Sequence, residues 1–87
     1  MKLKSDFVLR QVAGTWVVLA LGEAAVDFSG MLTLNESGAM LWHILEKGGD
    51  REALISALTA EYDVSHEQAG VDVDAFYRVL VNGGCAE

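Results

Sequence analysis

The chain has 87 residues, of which 52% are hydrophobic, and a formal net charge of −7 at pH 7. A chain of this length closes one hydrophobic core and has no room for a separate substrate domain. No apolar run approaches the roughly 20 residues that cross a bilayer, and the first residues lead into a strand pattern instead of a secretory signal. We therefore expect a single domain over residues 1–87, in the cytoplasm and without a membrane partner.

The charges are distributed unevenly along the chain. Three cations and one acid lie in the first 20 residues, whereas three cations and twelve acids lie in the remaining 67. A surface this acidic repels the phosphates of nucleic acids. The same charge keeps a small domain soluble without any partner, so it does not by itself identify one.

Strand patterns come first along the chain. Residues 7–12 and 16–21 are rich in aliphatic, β-branched and aromatic side chains, and the Ala-Gly-Thr sequence between them has the length of a tight hairpin. Residues 26–32 begin with alternating apolar and polar positions, which predicts a third strand with one buried face. Together they predict a three-stranded antiparallel β-meander with the third strand on an edge.

Three helix patterns follow, over residues 35–47, 51–62 and 66–82, where apolar positions recur every three or four residues. The side chains predicted to face the core are Leu34, Gly38, Leu41 and Leu45 in the first helix, Leu54, Ile55, Leu58 and Tyr62 in the second, and Ala69, Val73, Phe76 and Leu80 in the third. The predicted helix starts are a capping box of Thr33 with Glu36, for which Asn35 is a rival cap, then Asp50, then a capping box of Ser65 with Gln68.

Side chains that carry catalysis or bind metals form no recognisable group in the sequence. Cys85 is the only cysteine and lies third from the end, so we expect a free thiol in a frayed tail. His43 and His66 lie on predicted outward faces without the neighbours that a metal site needs. No glycine-rich phosphate loop, Cys–His pair or Ser–His–Asp order occurs. The sequence therefore predicts a protein that is not an enzyme, with no catalytic residue, no metal site and no cofactor.

Two elements far apart in the sequence form a distinctive combination. The first is the change from strand to helix spacing around the motif Gly-x-x-x-Leu-Asn-Glu-Ser-Gly, which runs from Gly30 to Gly38. The second is Asp72-Val73 followed by Phe76 and Leu80 in the third predicted helix. Over residues 7–84 this combination resembles the PqqD family, the small peptide-chaperone domains that are also called RiPP recognition elements.

The resemblance implies an α+β, winged-helix-like domain of three strands followed by three helices, with no chemistry of its own. Such domains hold the leader of a ribosomally made precursor peptide as an added strand, in the cleft between the third strand and the third helix. They present the peptide to a maturation enzyme such as a radical-SAM protein. The implied partners are therefore a leader peptide and such an enzyme, with no nucleic acid, and the protein is expected to be a monomer or weak homodimer.

The chain departs from the family at its C-terminus. The family usually has a glycine followed by two aliphatic residues, whereas this chain ends with Gly-Gly-Cys-Ala-Glu over residues 83–87. The last hydrophobic closure of the sheet is therefore expected to be missing or to be supplied by a partner.

The third strand has the features of an edge that accepts a peptide. No lysine or proline blunts residues 26–34, so this edge is either covered by the protein's own helix or open to strand addition. In strand addition the backbone hydrogen bonds give affinity and the side-chain pockets give selectivity.

On the third helix, one flank of the core stripe carries Asp72, Ala75 and Val79, and the other carries Tyr77 and Val81. We favour the first flank, because small Ala75 and Val79 leave a trough for aliphatic leader side chains and Asp72 is available to a cation. The predicted peptide-binding residues are Val26, Asp27, Phe28, Ser29, Gly30, Met31, Asp72, Ala75 and Val79.

Two other functions are compatible with the sequence. A winged-helix DNA-binding regulator has a similar fold, but the third helix carries Arg78 as its single cation where a recognition helix and its flanks need several. A structural subunit whose exposed strand pairs with a second copy is the other alternative.

Overall fold

The computed structural model describes residues 2–22 and 32–87. In chain order its elements are β1 (Phe7–Val12), β2 (Thr15–Ala20), β3 (Leu32–Leu34), α1 (Glu36–Glu46), α2 (Arg51–Glu61) and α3 (His66–Asn82). The strands form one antiparallel sheet in the order β1-β2-β3, so β3 lies at an edge of the described sheet. The predicted α+β order of three antiparallel strands followed by three helices is confirmed.

The β1–β2 hairpin turns on two residues with positive φ, Ala13 at 51° and Gly14 at 81°. Positive φ at both central positions is the geometry that matches the right-handed twist of a hairpin. The turn sets the register in which Val12 opposes Thr15 and Leu9 opposes Val18. Because side chains alternate between the two faces, Leu9 and Val18 enter the core together.

Over the described residues, the third strand extends further along the chain than predicted. Residues 23–31 lie outside the described residues, so the predicted strand over 26–32 is represented only by Leu32. The strand then continues to Leu34, which opposes Trp16 of β2, while Leu32 opposes Val18. Leu34 therefore packs against the core from the sheet and not, as predicted, from the first helix.

The start of α1 decides between the two predicted caps. The Asn35 side-chain oxygen accepts a hydrogen bond from the Gly38 backbone N–H at 2.8 Å, so Asn35 is the cap. The predicted capping box of Thr33 with Glu36 is wrong, because Thr33 still belongs to β3. The Glu36 carboxylate accepts from the Trp16 indole N–H at 3.3 Å instead.

The other two helices begin at their predicted caps. The Asp50 carboxylate accepts a hydrogen bond from the backbone N–H three residues further along, at 2.9 Å. The Ser65 hydroxyl accepts one from the Gln68 backbone N–H at 3.0 Å. The second half of the predicted Ser65 capping box is not formed, because the Gln68 side-chain amide donates to Asp72 at 2.9 Å. α3 covers the predicted residues 66–82, and α2 ends one residue earlier than predicted.

The core lies between the inner face of the sheet and the three helices. Its largest fully buried side chains are Trp42, Leu54, Ile55, Leu80, Val18, Val73 and Cys85. The predicted burial of Tyr62 is wrong, since this side chain is 42% exposed. Tyr62 follows the last residue of α2 with an extended backbone, φ −127° and ψ 153°, so it has left the buried stripe of the helix.

The two ends of the chain pair with each other. The Lys4 backbone N–H donates to the Cys85 carbonyl at 2.9 Å, and the Glu87 N–H donates to the Lys2 carbonyl at 3.0 Å. We call this pairing of residues 2–4 with 85–87 the terminal clamp. Within it Cys85 is fully buried and Ala86 is 3% exposed.

The terminal clamp corrects two predictions about the C-terminus. The tail is not frayed, because its backbone hydrogen bonds to the N-terminal segment hold it in place. The closure of the core is not missing either, because Cys85 and Ala86 belong to the core cluster. Burial raises the pKa of the Cys85 thiol, and the charge of Lys4 partly opposes that shift.

An ion pair between Arg51 and Asp74 joins α2 to α3. The Arg51 guanidinium donates to both carboxylate oxygens of Asp74, at 2.8 and 3.1 Å. The same guanidinium lies against buried Gly70, where a Cβ would come within 3.0 Å of an Arg51 nitrogen. The hydrogen bond from Arg51 lowers the pKa of Asp74, although both side chains are about half exposed.

Candidate functional site

A cavity of about 500 Å³ opens between the start of α1, the end of α2 and one flank of α3. We call this cavity the groove. The residues that line it are Asn35, Ser37, Gly38, Leu41, Leu58, Tyr62, Val64, Asp72, Ala75, Phe76 and Val79. Apolar side chains predominate, and a concave apolar surface with a few polar groups is the usual form of a ligand site.

The groove contains all three of the predicted helix residues. Asp72, Ala75 and Val79 lie on one flank of α3 and line the groove together. The rival flank does not line it, and the Tyr77 hydroxyl on that flank accepts a hydrogen bond from the Lys2 backbone N–H at 3.3 Å. That Asp72, Ala75 and Val79 contact a peptide stays a prediction. The other six predicted residues, Val26, Asp27, Phe28, Ser29, Gly30 and Met31, lie outside the described part of the chain.

Two residues of the connection between α2 and α3, Tyr62 and Val64, also line the groove. The Val64 N–H donates to the Tyr62 carbonyl at 2.9 Å, a tight turn directly after α2. The sequence pattern did not predict Tyr62 in this role, because the helical period placed its side chain in the core.

Gly38 allows α1 to approach α3 at the floor of the groove. A Cβ at Gly38 would lie 3.2 Å from the Leu34 Cβ and 3.4 Å from a ring carbon of Phe76. Those distances are tight for a methyl group, so the absence of a side chain lets the ends of β3 and α1 pack beside Phe76.

The edge strand β3 comes near the C-terminal end of α3. Near the end of α3, a Cβ at Gly83 would lie 3.8 Å from a methyl carbon of Leu32. Further along, Leu34 and Phe76 both approach Gly38. Gly38 and Phe76 both line the groove, so one part of the groove lies next to the end of β3.

Asp72 is the one charged side chain among the residues that line the groove. Its Oδ1 accepts a hydrogen bond from the Gln68 amide at 2.9 Å. The Ser37 hydroxyl donates to Asn35 at 3.0 Å and has no general base beside it among the lining residues. The groove thus offers binding surface and a carboxylate, without a paired nucleophile and base.

The remaining titratable side chains do not add a metal or catalytic cluster to the described residues. His43 pairs with Glu46 and His66 pairs with Glu52 on the exposed surface, as expected for outward-facing histidines. Residues 2–22 and 32–87 contain no group of three or more His, Cys, Asp or Glu side chains that could hold a metal ion. Over the same residues, no helix has both the length and the apolar character to cross a membrane.

The described residues form a small winged-helix-like domain with an apolar groove near the end of its edge strand. A sequence model of the PqqD family, described as coenzyme PQQ synthesis protein D, matches residues 15–85. The chain therefore belongs to the PqqD family. No curated protein sequence matches the chain.

Two solved structures resemble the whole chain. TbiB1 in complex with the TbiA(beta) leader peptide is 28% identical, with a TM-score of 0.81, over 100% of this chain and 95% of that chain. A lasso peptide synthetase B1 complexed with the leader peptide is 23% identical, with a TM-score of 0.82, over 99% of this chain and 95% of that chain. The second likeness concerns the fold alone.

Proposed function

We propose that this protein binds the leader of a ribosomally made precursor peptide and presents it to a maturation enzyme, such as a radical-SAM protein. The leader adds a strand to the edge at β3, and its side chains enter the groove beside α3. The observation that carries the proposal is an apolar groove along one flank of α3 that reaches Gly38, next to the end of β3, in a member of the PqqD family. A relative of 28% identity, TbiB1, was solved with a leader peptide, which supports the same ligand class.

The exposed apolar side chains at the groove support this function. Val79 is 47% exposed and Tyr62 is 42% exposed, and both line the groove. Large apolar side chains gathered at a concave surface mark a binding site more strongly than single exposed ones. An extended peptide points alternate side chains to one face, so every second leader residue can enter the groove while the backbone pairs with β3.

The protein acts without catalysis and in the cytoplasm, where ribosomes release the precursor. It is a monomer or a weak homodimer in this proposal. The DNA-binding alternative gains no support, because α3 carries Glu67, Asp72 and Asp74 against Arg78. A recognition helix needs the opposite balance of charge.

Calorimetry with synthetic leaders tests the proposed function. The probes are the N-terminal segments of short peptides encoded beside this protein's gene, together with the TbiA(beta) leader. We expect one of them to bind with a Kd between about 10 nM and 10 μM, whereas duplex DNA does not bind at physiological salt. DNA affinity in this range with no affinity for any of these leaders would contradict the proposal.

A matched pair of variants locates the binding surface. Ala75→Trp fills the groove, and Ala60→Trp adds the same side chain at an exposed position of α2 that does not line it. We expect Ala75→Trp to weaken leader binding by at least about tenfold, while Ala60→Trp leaves it unchanged. Equal affinity of both variants for the leader would exclude the groove as the site.

The predicted strand residues need a separate test. Proline removes a backbone donor, so Asp27→Pro and Ser29→Pro should weaken leader binding by at least about 1 kcal/mol if those N–H groups pair with the peptide. Circular dichroism controls for folding. If both variants fold normally and bind the leader as tightly as the parent, the peptide does not pair with this segment.

A maturation assay tests the absence of catalysis. Mass spectrometry should show the precursor unchanged when it is mixed with this protein alone. Addition of the protein to the precursor and its maturation enzyme should raise turnover, because binding increases the effective concentration of the peptide. A mass change without any other enzyme would overturn the proposal that the protein only binds.

A further inference from the structure

We propose that the groove selects leaders that place a lysine or arginine beside Asp72 and an apolar side chain beside Val79. This inference rests on the proposed function and adds the chemistry of the leader that this chain accepts. It also predicts the spacing between the two leader residues.

The flank of α3 that lines the groove is charged at one end and apolar at the other. Asp72 and Val79 are seven residues apart on α3, which corresponds to about 10.5 Å along the helix axis. Ala75 and Phe76 lie between them and carry no charge. A ligand that runs along this flank of α3 therefore meets a carboxylate at one end and uncharged side chains along the rest.

The Asp72 carboxylate is held in place but is not neutralised. The Gln68 amide donates to its Oδ1 at 2.9 Å, whereas its Oδ2 accepts no hydrogen bond from the described residues. The cation of α2, Arg51, is already paired, since its Nε and one of its Nη atoms donate to the two carboxylate oxygens of Asp74. Arg78 is six residues from Asp72, which is 600° of helical rotation and places it on another face.

The charge of the surrounding chain favours a cation at this position. Residues 21–87 carry twelve acids and three cations, so the potential around the groove is negative. An acidic leader side chain beside Asp72 would be repelled. A lysine or arginine would donate a charge-assisted hydrogen bond to the free oxygen and could lay its methylene stem on the apolar side chains of the groove.

The geometry of an extended peptide sets the spacing. Side chains on the same face of a strand are about 6.7 Å apart, or about 13 Å for two steps. The distance of about 10.5 Å between the two ends lies between these values, and the length of a lysine or arginine side chain covers the difference. The cation should therefore be two or four residues from the apolar anchor, and not one or three.

A displayed library of random 12-residue peptides tests this specificity without knowledge of the natural leader. Selection is carried out in parallel on the unmodified protein, on Asp72→Asn and on Glu67→Gln. Asn at position 72 retains the acceptor for Gln68 and removes only the charge. Glu67 lies on the first turn of the same helix, is exposed and does not line the groove, so its variant controls for the change in net charge.

We expect the unmodified protein and Glu67→Gln to select peptides with lysine or arginine at an even spacing from an apolar residue. Asp72→Asn should keep the apolar preference and lose the cation. If the cation is as frequent with Asp72→Asn as with the unmodified protein, this inference is wrong and the proposed function stands. If the unmodified protein enriches no peptide above the filled-groove variant Ala75→Trp, both are wrong.

A double-mutant cycle on one selected peptide completes the test. Replacement of its cation by norleucine should weaken binding to the unmodified protein about three- to tenfold and should change binding to Asp72→Asn by less than about twofold. Equal losses on both proteins would show that the cation acts elsewhere and would overturn the assignment to Asp72.

Discussion

Two neighbouring residues of α3, Leu80 and Val79, lie in opposite surroundings. Leu80 is fully buried in the core, and its carbonyl accepts the Cys85 N–H at 2.9 Å, so the terminal clamp covers this side of the helix. Val79 is 47% exposed and lines the groove. The chain thus closes one side of α3 with its own tail and leaves the other side open. This difference separates the part of the molecule that maintains the fold from the part that is available to a ligand.

The largest expected effect is on the closed side. Leu80→Ala should lower the free energy of unfolding by about 2 to 5 kcal/mol, because it leaves a cavity in a fully packed core. Denaturant titration measures the loss. A destabilisation below about 1 kcal/mol would mean that the closed side is no better packed than the open one.

The next effect concerns the buried thiol of the terminal clamp. Cys85→Ser places a hydroxyl at a fully buried position and should cost about 1 to 3 kcal/mol of unfolding free energy, more than Cys85→Ala. Denaturant titration of the two variants compares them. In the native state the thiol should also react slowly with a thiol reagent, and rapid reaction would contradict the burial of the tail.

The raised pKa of Cys85 predicts a dependence of stability on pH. Its ordinary value is 9.0, and the folded protein holds the proton more tightly than the unfolded chain. The stability that the buried, protonated thiol contributes is therefore complete below about pH 9. It is lost as the pH rises through the higher pKa of the folded state. Melting curves from pH 7 to 10.5 should show the unmodified protein losing stability relative to Cys85→Ala. A constant difference between them would contradict the shift.

On the open side the effect should fall on binding. Val79→Ala should change the free energy of unfolding by less than about 0.5 kcal/mol, because the side chain is half exposed. It should weaken leader binding by about 1 kcal/mol through lost apolar contact. Calorimetry and melting measure the two quantities on the same sample. A loss of stability without a loss of binding would assign Val79 to the core.

The smallest effect is expected at the exposed ion pair of Arg51 and Asp74. Arg51 lowers the pKa of Asp74, so the pair contributes stability above the ordinary aspartate pKa and loses it as the pH falls through the lower folded value. Melting temperatures of the unmodified protein and Asp74→Asn should differ slightly at pH 7 and low salt, and should converge below about pH 4. A difference between the two melting temperatures that persists below about pH 4 would show that Asp74 stabilises the protein through packing and not through its charge.

The local elements of the fold could be predicted from the sequence because their causes are local. Asp50 and Ser65 cap α2 and α3 through residues three positions further along, and the apolar period defines the stripe with Ala69, Val73 and Leu80. Caps and periodicity depend on neighbours within one or two turns. The flank with Asp72, Ala75 and Val79 followed from the same rotation per residue.

Contacts between distant segments decided the rest. Leu34 fits the helical period, yet pairing with Trp16 makes it the end of a strand. The sequence of the tail predicts a frayed end, yet hydrogen bonds to residues 2–4 hold the tail against the domain, and Cys85 is buried. Tyr62 fits the buried stripe of α2, but the helix ends before it, and the side chain becomes a wall of the groove. Sequence periodicity specifies which side chains share a face, whereas only the packed chain determines what lies opposite that face.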